Sequence, residues 1–122
     1  MSAYSLPGII TQYDFETESP LQYLPDGEKQ MKFLETFCYY EHISLNELYS
    51  RCRVNKLVAA RQVSMWLFDK IFKGCTLKEI GQVFCRDHST ILYAKKTIDG
   101  YLTWDKNLQE KIKFYKHLFK IK

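Results

Sequence analysis

From Glu28 onward, apolar side chains recur at the three- and four-residue spacing that lines one face of an α-helix. Met31, Leu34, Phe37 and Cys38 share such a face and predict a first helix over 28–41. Ser44 followed three residues later by Glu47 is a capping box, so a short second helix is expected to run to about Ser50. Asn55 is a natural N-cap for a long helix over 56–73. Leu57, Ala60, Ser64, Leu67 and Ile71 form its stripe, Met65 and Phe68 flank it, and Lys73-Gly74 gives a basic last turn and then a glycine stop. A second capping box, Thr76 with Glu79, opens a helix over 77–84 that buries Leu77, Ile80 and Phe84; Gly81 is expected to let another helix approach closely. Asp87 caps the next helix, 88–100, with Ile91, Ala94, Ile98 and then Tyr101 toward the core. Leu108, Ile112, Tyr115 and Phe119 predict a last, basic amphipathic helix over 105–120.

No segment alternates as a strand does, so the fold class is all-α: a helical bundle. Residues 1–27 contain Pro7-Gly8, Pro20, Pro25 and Asp26-Gly27 with no sustained period, and read as an arm of loops and short extended pieces such as 8–13. The domain division is therefore an arm over 1–27 and a helical domain over 28–122.

Charge sharpens that division. The whole chain carries a net +4, but residues 1–30 hold Asp14, Glu16, Glu18, Asp26 and Glu28 against Lys29 alone. The remaining 92 residues hold 17 Lys and Arg against nine acids, a balance of +8. A basic body suits a polyanion partner. An acidic arm suits a protein partner, or a fold-back onto the basic face; a plain solvated tail is the alternative. No apolar run approaches the ~18 residues of a membrane span, and the early acids do not fit a signal peptide, so no membrane association is expected and the location expected is cytoplasmic.

Cys38, Cys52, Cys75 and Cys85 form no C-x-x-C pair. Cys38 and His42, at i and i+4, are the one spacing with metal-sharing geometry, and ordinary reduced thiols are the simpler account, so no metal or cofactor is expected. Only three histidines are present (His42, His88, His117), widely separated and without paired carboxylates. No catalytic residue is nominated, and an enzyme such as a nuclease is the reading least supported.

The chemistry concentrates between the two helices over 77–100. They are joined by a very short turn, the layout of a helix-turn-helix, in which the start of the second helix reads base edges in the major groove. Arg86, Asp87, His88, Ser89 and Thr90 supply donors, acceptors and a methyl group at that start. Each also has a plain structural account: Asp87 as N-cap, Ser89 and Thr90 as ordinary first-turn residues, Arg86 in a surface ion pair.

The run from Leu77 to Phe84, followed by Arg86-Asp-His-Ser-Thr-Ile-Leu-Tyr-Ala94, resembles the signature S-L-x-E-I-G-x-x-F-G-G-R-D-H-[ST]-T-[VI]-x-H-A. That is the signature of the C-terminal DNA-binding domain of DnaA, the bacterial chromosomal replication initiator. Val58 to Met65 is similar to the V-x-x-x-R-Q-[IV]-A-M of its long helix, and Arg51-Cys-Arg53 to the basic K-x-R before it. The likeness covers about 28–120 and implies a Trp-repressor-like helical fold. It also implies that Arg53 enters a narrow minor groove at the A·T-rich end of the DNA site. Arg86, Asp87, His88, Ser89 and Thr90 would enter the adjacent major groove, with Arg86 on guanine, Asp87 on cytosine N4 and Thr90 against a thymine methyl. Arg51, Lys56, Arg61, Thr76, Lys78, Lys95 and Lys96 would hold phosphates. The implied site is a DnaA box resembling TTATNCACA on double-stranded DNA.

The departures are local. One Cys85 replaces the family's Gly-Gly, Gly74-Cys-Thr76 is one residue longer, Tyr93 replaces a histidine, and Lys78 stands where the family has proline or a neutral residue. No G-x-x-x-x-G-K-[ST] occurs, so neither a nucleotide site nor ATPase activity is expected. The implied role is replication-initiation control or transcription regulation in a bacterial nucleoid, or as a phage product. The rival is a DnaA-like module for protein contact or non-specific phosphate binding.

Overall fold

A computed structural model describes residues 26–121; the expected arm, including its extended pieces, lies almost wholly outside them. Six helices follow in order: α1 (Asp26–Glu41), α2 (Leu45–Tyr49), α3 (Asn55–Ile71), α4 (Leu77–Phe84), α5 (His88–Tyr101) and α6 (Lys106–Leu118). Among the described residues there is no strand. None of the helices is long and apolar enough to cross a membrane.

The long helix α3 is the axis of the domain and packs against α1, α2, α4 and α5. Its burial is wider than the expected stripe. Ala59, Val63, Met65 and Trp66 are buried as well as Leu57, Ala60, Leu67 and Phe68, so the middle of the helix is enclosed on nearly every side. Such a helix belongs to a core rather than a surface. Asn55 is not its cap. Val54 holds that place, its carbonyl accepting from Leu57 and Val58, and Asn55 is the first helical residue with no side-chain cap before it.

The core is largely aromatic. Phe33 of α1 meets Phe68 of α3 at 6.0 Å, and Phe68 meets Phe84 of α4 at 5.6 Å, which ties three helices together. α6 closes the far side against α1, with Tyr115 5.2 Å from Phe37 and Phe119 5.1 Å from Phe33. Between the same two helices, Lys111 Nζ donates to Glu41 Oε1 at 2.6 Å and the Tyr115 hydroxyl to Glu41 Oε2, all three side chains being buried. Burial and the Glu41 carboxylate push the Tyr115 hydroxyl far above its ordinary range, which keeps it a donor.

Three expectations need correcting here. Met31 does not join Leu34, Phe37 and Cys38 in the core; it is exposed. Tyr101 does not face the core; it is exposed, and its ring lies tilted against the exposed Trp104 at 5.4 Å. Cys38 and His42 do not share a helix face, because α1 ends at Glu41 and His42 is exposed at φ 59°. Burial pushes the Cys38 thiol up to about 11, with Glu41 adding, so it is held as a neutral thiol.

Candidate nucleic-acid interface

α4 and α5 take the places the sequence assigns them, and the reason is local. The Thr76 hydroxyl accepts from the Glu79 amide at 3.2 Å while Glu79 Oε1 accepts from the Thr76 amide at 3.0 Å, completing the box at the start of α4. At its end, Arg86 N–H donates to the Gly81 carbonyl at 2.8 Å and Cys85 N–H to Gln82 at 3.3 Å, the crossed pair of a Schellman stop. Such a stop needs one left-handed residue, and Cys85 supplies it at φ 56°, ψ 44°. Gly81 is required for a related reason. A Cβ there would lie 2.5 Å from the Arg86 carbonyl oxygen, so what approaches Gly81 is the turn itself and not another helix.

Asp87 then caps α5. Its Oδ1 accepts from the His88 amide at 2.9 Å and its Oδ2 from the Ser89 hydroxyl at 2.9 Å. His88 Nδ1 lies 3.1 Å from Asp87 Oδ1. The Ser89 hydroxyl, then the amide and ring of His88, hold the Asp87 carboxyl below the usual range, so it stays an acceptor. Asp87, His88, Ser89 and Thr90 are all exposed, and they stand together at one helix start. Trp66 Nε1–H donates to Asp99 at 2.8 Å and Lys95 pairs with Asp69 at 3.3 Å, which fastens α5 along α3.

Beside that start runs a groove of about 530 Å³ between the 51–54 loop, α3 and α5, lined among others by Arg51, Arg53, Arg61, Arg86, Thr90 and Tyr93. Among the described residues, none of its four arginines forms an ion pair with a carboxylate. Arg51 and Arg53 are exposed; Arg61 is buried and Arg86 half-buried. Arg61 Nε donates to the Leu48 carbonyl at 2.9 Å, Nη1 to Cys52 at 2.6 Å, and Nη2 to Glu47 at 3.1 Å and to Ser50 Oγ at 2.8 Å. Arg86 Nη2 donates to the Ser50 carbonyl at 2.5 Å, with longer contacts from Nη1 to Tyr49 and Cys85. Desolvation, followed by the neighbouring Arg86 charge, lowers the Arg61 pKa from its ordinary value.

The nominated phosphate holders therefore fall into different settings. Arg51, Lys56, Lys78 and Lys96 project from exposed positions, whereas Lys95 is engaged by Asp69, Thr76 by its own capping box and Arg61 by α2. Tyr93 and Gln62, which also line the groove, were not nominated. The spacing held the signal for Tyr93, since it follows Thr90 by three on α5 and so shares its face. For the α2 carbonyls no side-chain signal exists.

The match to the family described as the bacterial dnaA protein helix-turn-helix runs over residues 32–98, more than half of the chain. The chain belongs to this family. Chromosomal replication initiator DnaA of Wolbachia sp. subsp. Brugia malayi (strain TRS) is 33% identical over 95 residues, covering 77% of this chain and 20% of that protein. DnaA 2 of Chlamydia pneumoniae is 37% identical over 75 residues, 62% of this chain and 16% of that one. DnaA of Lactococcus lactis subsp. cremoris (strain MG1363) is 33% identical over 119 residues, 90% of this chain and 26% of that one. The chain thus spans about a fifth of the length of the first curated DnaA proteins it matches. The matched residues take in α2, α3, α4, the Cys85 turn and most of α5, and with them the Arg-lined groove.

Proposed function

We propose that this chain binds double-stranded DNA at DnaA-box-like sites, acting by occupancy of the site and not by ATP hydrolysis, in the control of replication initiation or of transcription. The observation that carries the reading is the exposed Asp87–Thr90 cluster at a capped helix start, directly beside an arginine-lined groove. A major-groove reader needs the first and a phosphate ridge needs the second. In this reading α5 enters the major groove with Asp87, His88, Ser89 and Thr90 on base edges. Arg53, on the exposed loop, enters the adjacent minor groove, where an A·T-rich stretch is narrow and most negative. Arg51, Lys56, Lys78 and Lys96 hold phosphates. The domain that does this is 28–122, and the acidic arm before it offers a protein partner a contact separate from the DNA.

Fluorescence anisotropy on a duplex carrying one TTATNCACA-type box, beside a scrambled duplex at two salt concentrations, tests it. The wild type is expected to prefer the box by about 100-fold or more. His88→Ala is expected to remove about 10-fold of that preference and to leave the salt dependence unchanged. Equal and strongly salt-dependent binding to both duplexes reduces the protein to a phosphate binder. Absence of binding at low salt, with the fold intact, leaves a protein-contact module.

A further inference from the structure

The orientation of Arg61 and Arg86 has a consequence for how the two readers are held, and it rests on the DNA-binding reading above. The last carbonyls of a helix have no partner within it and attract cations. Here the carbonyls of Glu47, Leu48, Tyr49 and Ser50, with Cys52 just beyond, are met by two guanidinium groups. One comes from α3 and the other from the turn immediately before Asp87. The segment that continues from these carbonyls is 51–54, which carries Arg53. The loop is therefore fixed at one time to the central helix and to the residue that precedes the reading helix.

We propose that Arg61 and Arg86 are positioning residues, which set the separation between Arg53 and the Asp87–Thr90 cluster and thereby couple minor-groove to major-groove reading. Arg61 is the anchor: buried, with four hydrogen bonds, it cannot turn outward to a phosphate without giving up all four and leaving the Leu48 and Cys52 carbonyls to find new partners. Arg86 is the adjustable half. Its backbone is fixed by the bond to Gly81, and its side chain spans from the Cys85 turn to Ser50. The Arg86 charge adds to the desolvation that already disfavours the Arg61 cation, and the carbonyls of 47–52 offset both without neutralising the groove. A planar fork can bridge several carbonyls, whereas a lysine offers a point charge. Arg86→Lys should therefore preserve attraction to phosphate and lose the spacing.

The test is a double-mutant cycle on three duplexes: an intact box, one with the A·T-rich end replaced by G·C, and one with the CACA end altered. In the wild type both altered duplexes bind more weakly. Arg86→Lys is expected to reduce discrimination at the A·T-rich end by about 10-fold while changing discrimination at the CACA end by no more than about twofold. In an Arg53→Ala background the same substitution should change neither. Arg61→Lys should behave like Arg86→Lys, with folding of each variant verified by circular dichroism. A loss that falls on the CACA end, or that persists undiminished without Arg53, overturns the proposal and makes Arg86 a base reader. A wild type indifferent to both ends overturns the DNA-reading function itself, and this inference with it. A second readout needs no DNA: amide exchange at 51–54 should accelerate in Arg86→Lys with the α3 core unchanged, and unaltered exchange there also overturns the proposal.

Discussion

Cys85 holds the left-handed position of the turn between α4 and α5, a place that favours glycine. A side chain with a Cβ in the left-handed region is strained by about 1–2 kcal/mol, whereas glycine is not. Glycine loses more freedom on folding, which returns part of the difference. Cys85→Gly is therefore expected to stabilise the domain by about 0.5–1 kcal/mol, raising Tm by a few degrees in a thermal melt. Gly81→Ala should do the reverse, lowering Tm and box affinity together, because the atom a new Cβ meets is a backbone oxygen that cannot swing aside. The sequence made both positions visible only in part. Gly81 announced a close approach but not by what, and a cysteine in a short turn carries no mark of the φ it adopts. The Asp87 cap, by contrast, was readable outright, since its chemistry is complete within two residues.

At the scale of elements, all six helices were legible from period and caps, with boundaries displaced by a few residues at most. The width of burial on α3 was not. A stripe reads as one face, and Arg61 beside it reads as outward, because nothing in a local pattern tells that α2 and the residues just after it will bring four acceptors to meet it. The two caps of the helix-turn-helix have their own dependence on pH. Hydrogen bonds from Thr76 hold Glu79 below its ordinary 4.5, and chiefly the Ser89 hydroxyl holds Asp87 below its ordinary 3.8. A depressed carboxyl contributes stability that is present above the ordinary value and is lost as pH falls through the depressed one. The α4–α5 unit should thus weaken only in acid, below about pH 4. In Glu79→Gln with Asp87→Asn, which retain capping without a titrating group, the urea midpoint is expected to fall less between pH 5 and pH 2 than in the wild type. Equal falls in the two proteins would assign the acid sensitivity elsewhere.

For the molecule as a whole, the buried Glu41–Lys111–Tyr115 cluster joins the first described helix to the last across 70 residues of sequence. Lys111 sits on α6 among residues expected in solvent, and only the position of a partner so far away reveals its burial. Removing one member of a buried ion pair leaves the other uncompensated, at a cost of about 3–5 kcal/mol. Lys111→Met should therefore lower stability by about that amount in denaturant titration. Adding Glu41→Leu together with Tyr115→Phe should recover much of the loss, since this removes both the stranded charge and the buried hydroxyl that would lose its acceptor. Box affinity measured on the folded fraction should be the same in both, because the pair lies between α1 and α6, away from the groove lined by the loop, α3 and α5.

The two tryptophans are placed as opposites. Trp104 is 66% exposed, while Trp66 is 4% exposed, its N–H held by Asp99 of α5 and its ring overlain by Lys70 at 5.1 Å and Lys116 at 5.8 Å. The protein therefore contains its own optical reporter. Trp104→Phe leaves one shielded indole bonded to α5, whose emission should be blue-shifted and resistant to iodide. A tilt of α5 would loosen the bond to Asp99 and redden that emission, so docking on a duplex can be followed as a colour change without any label.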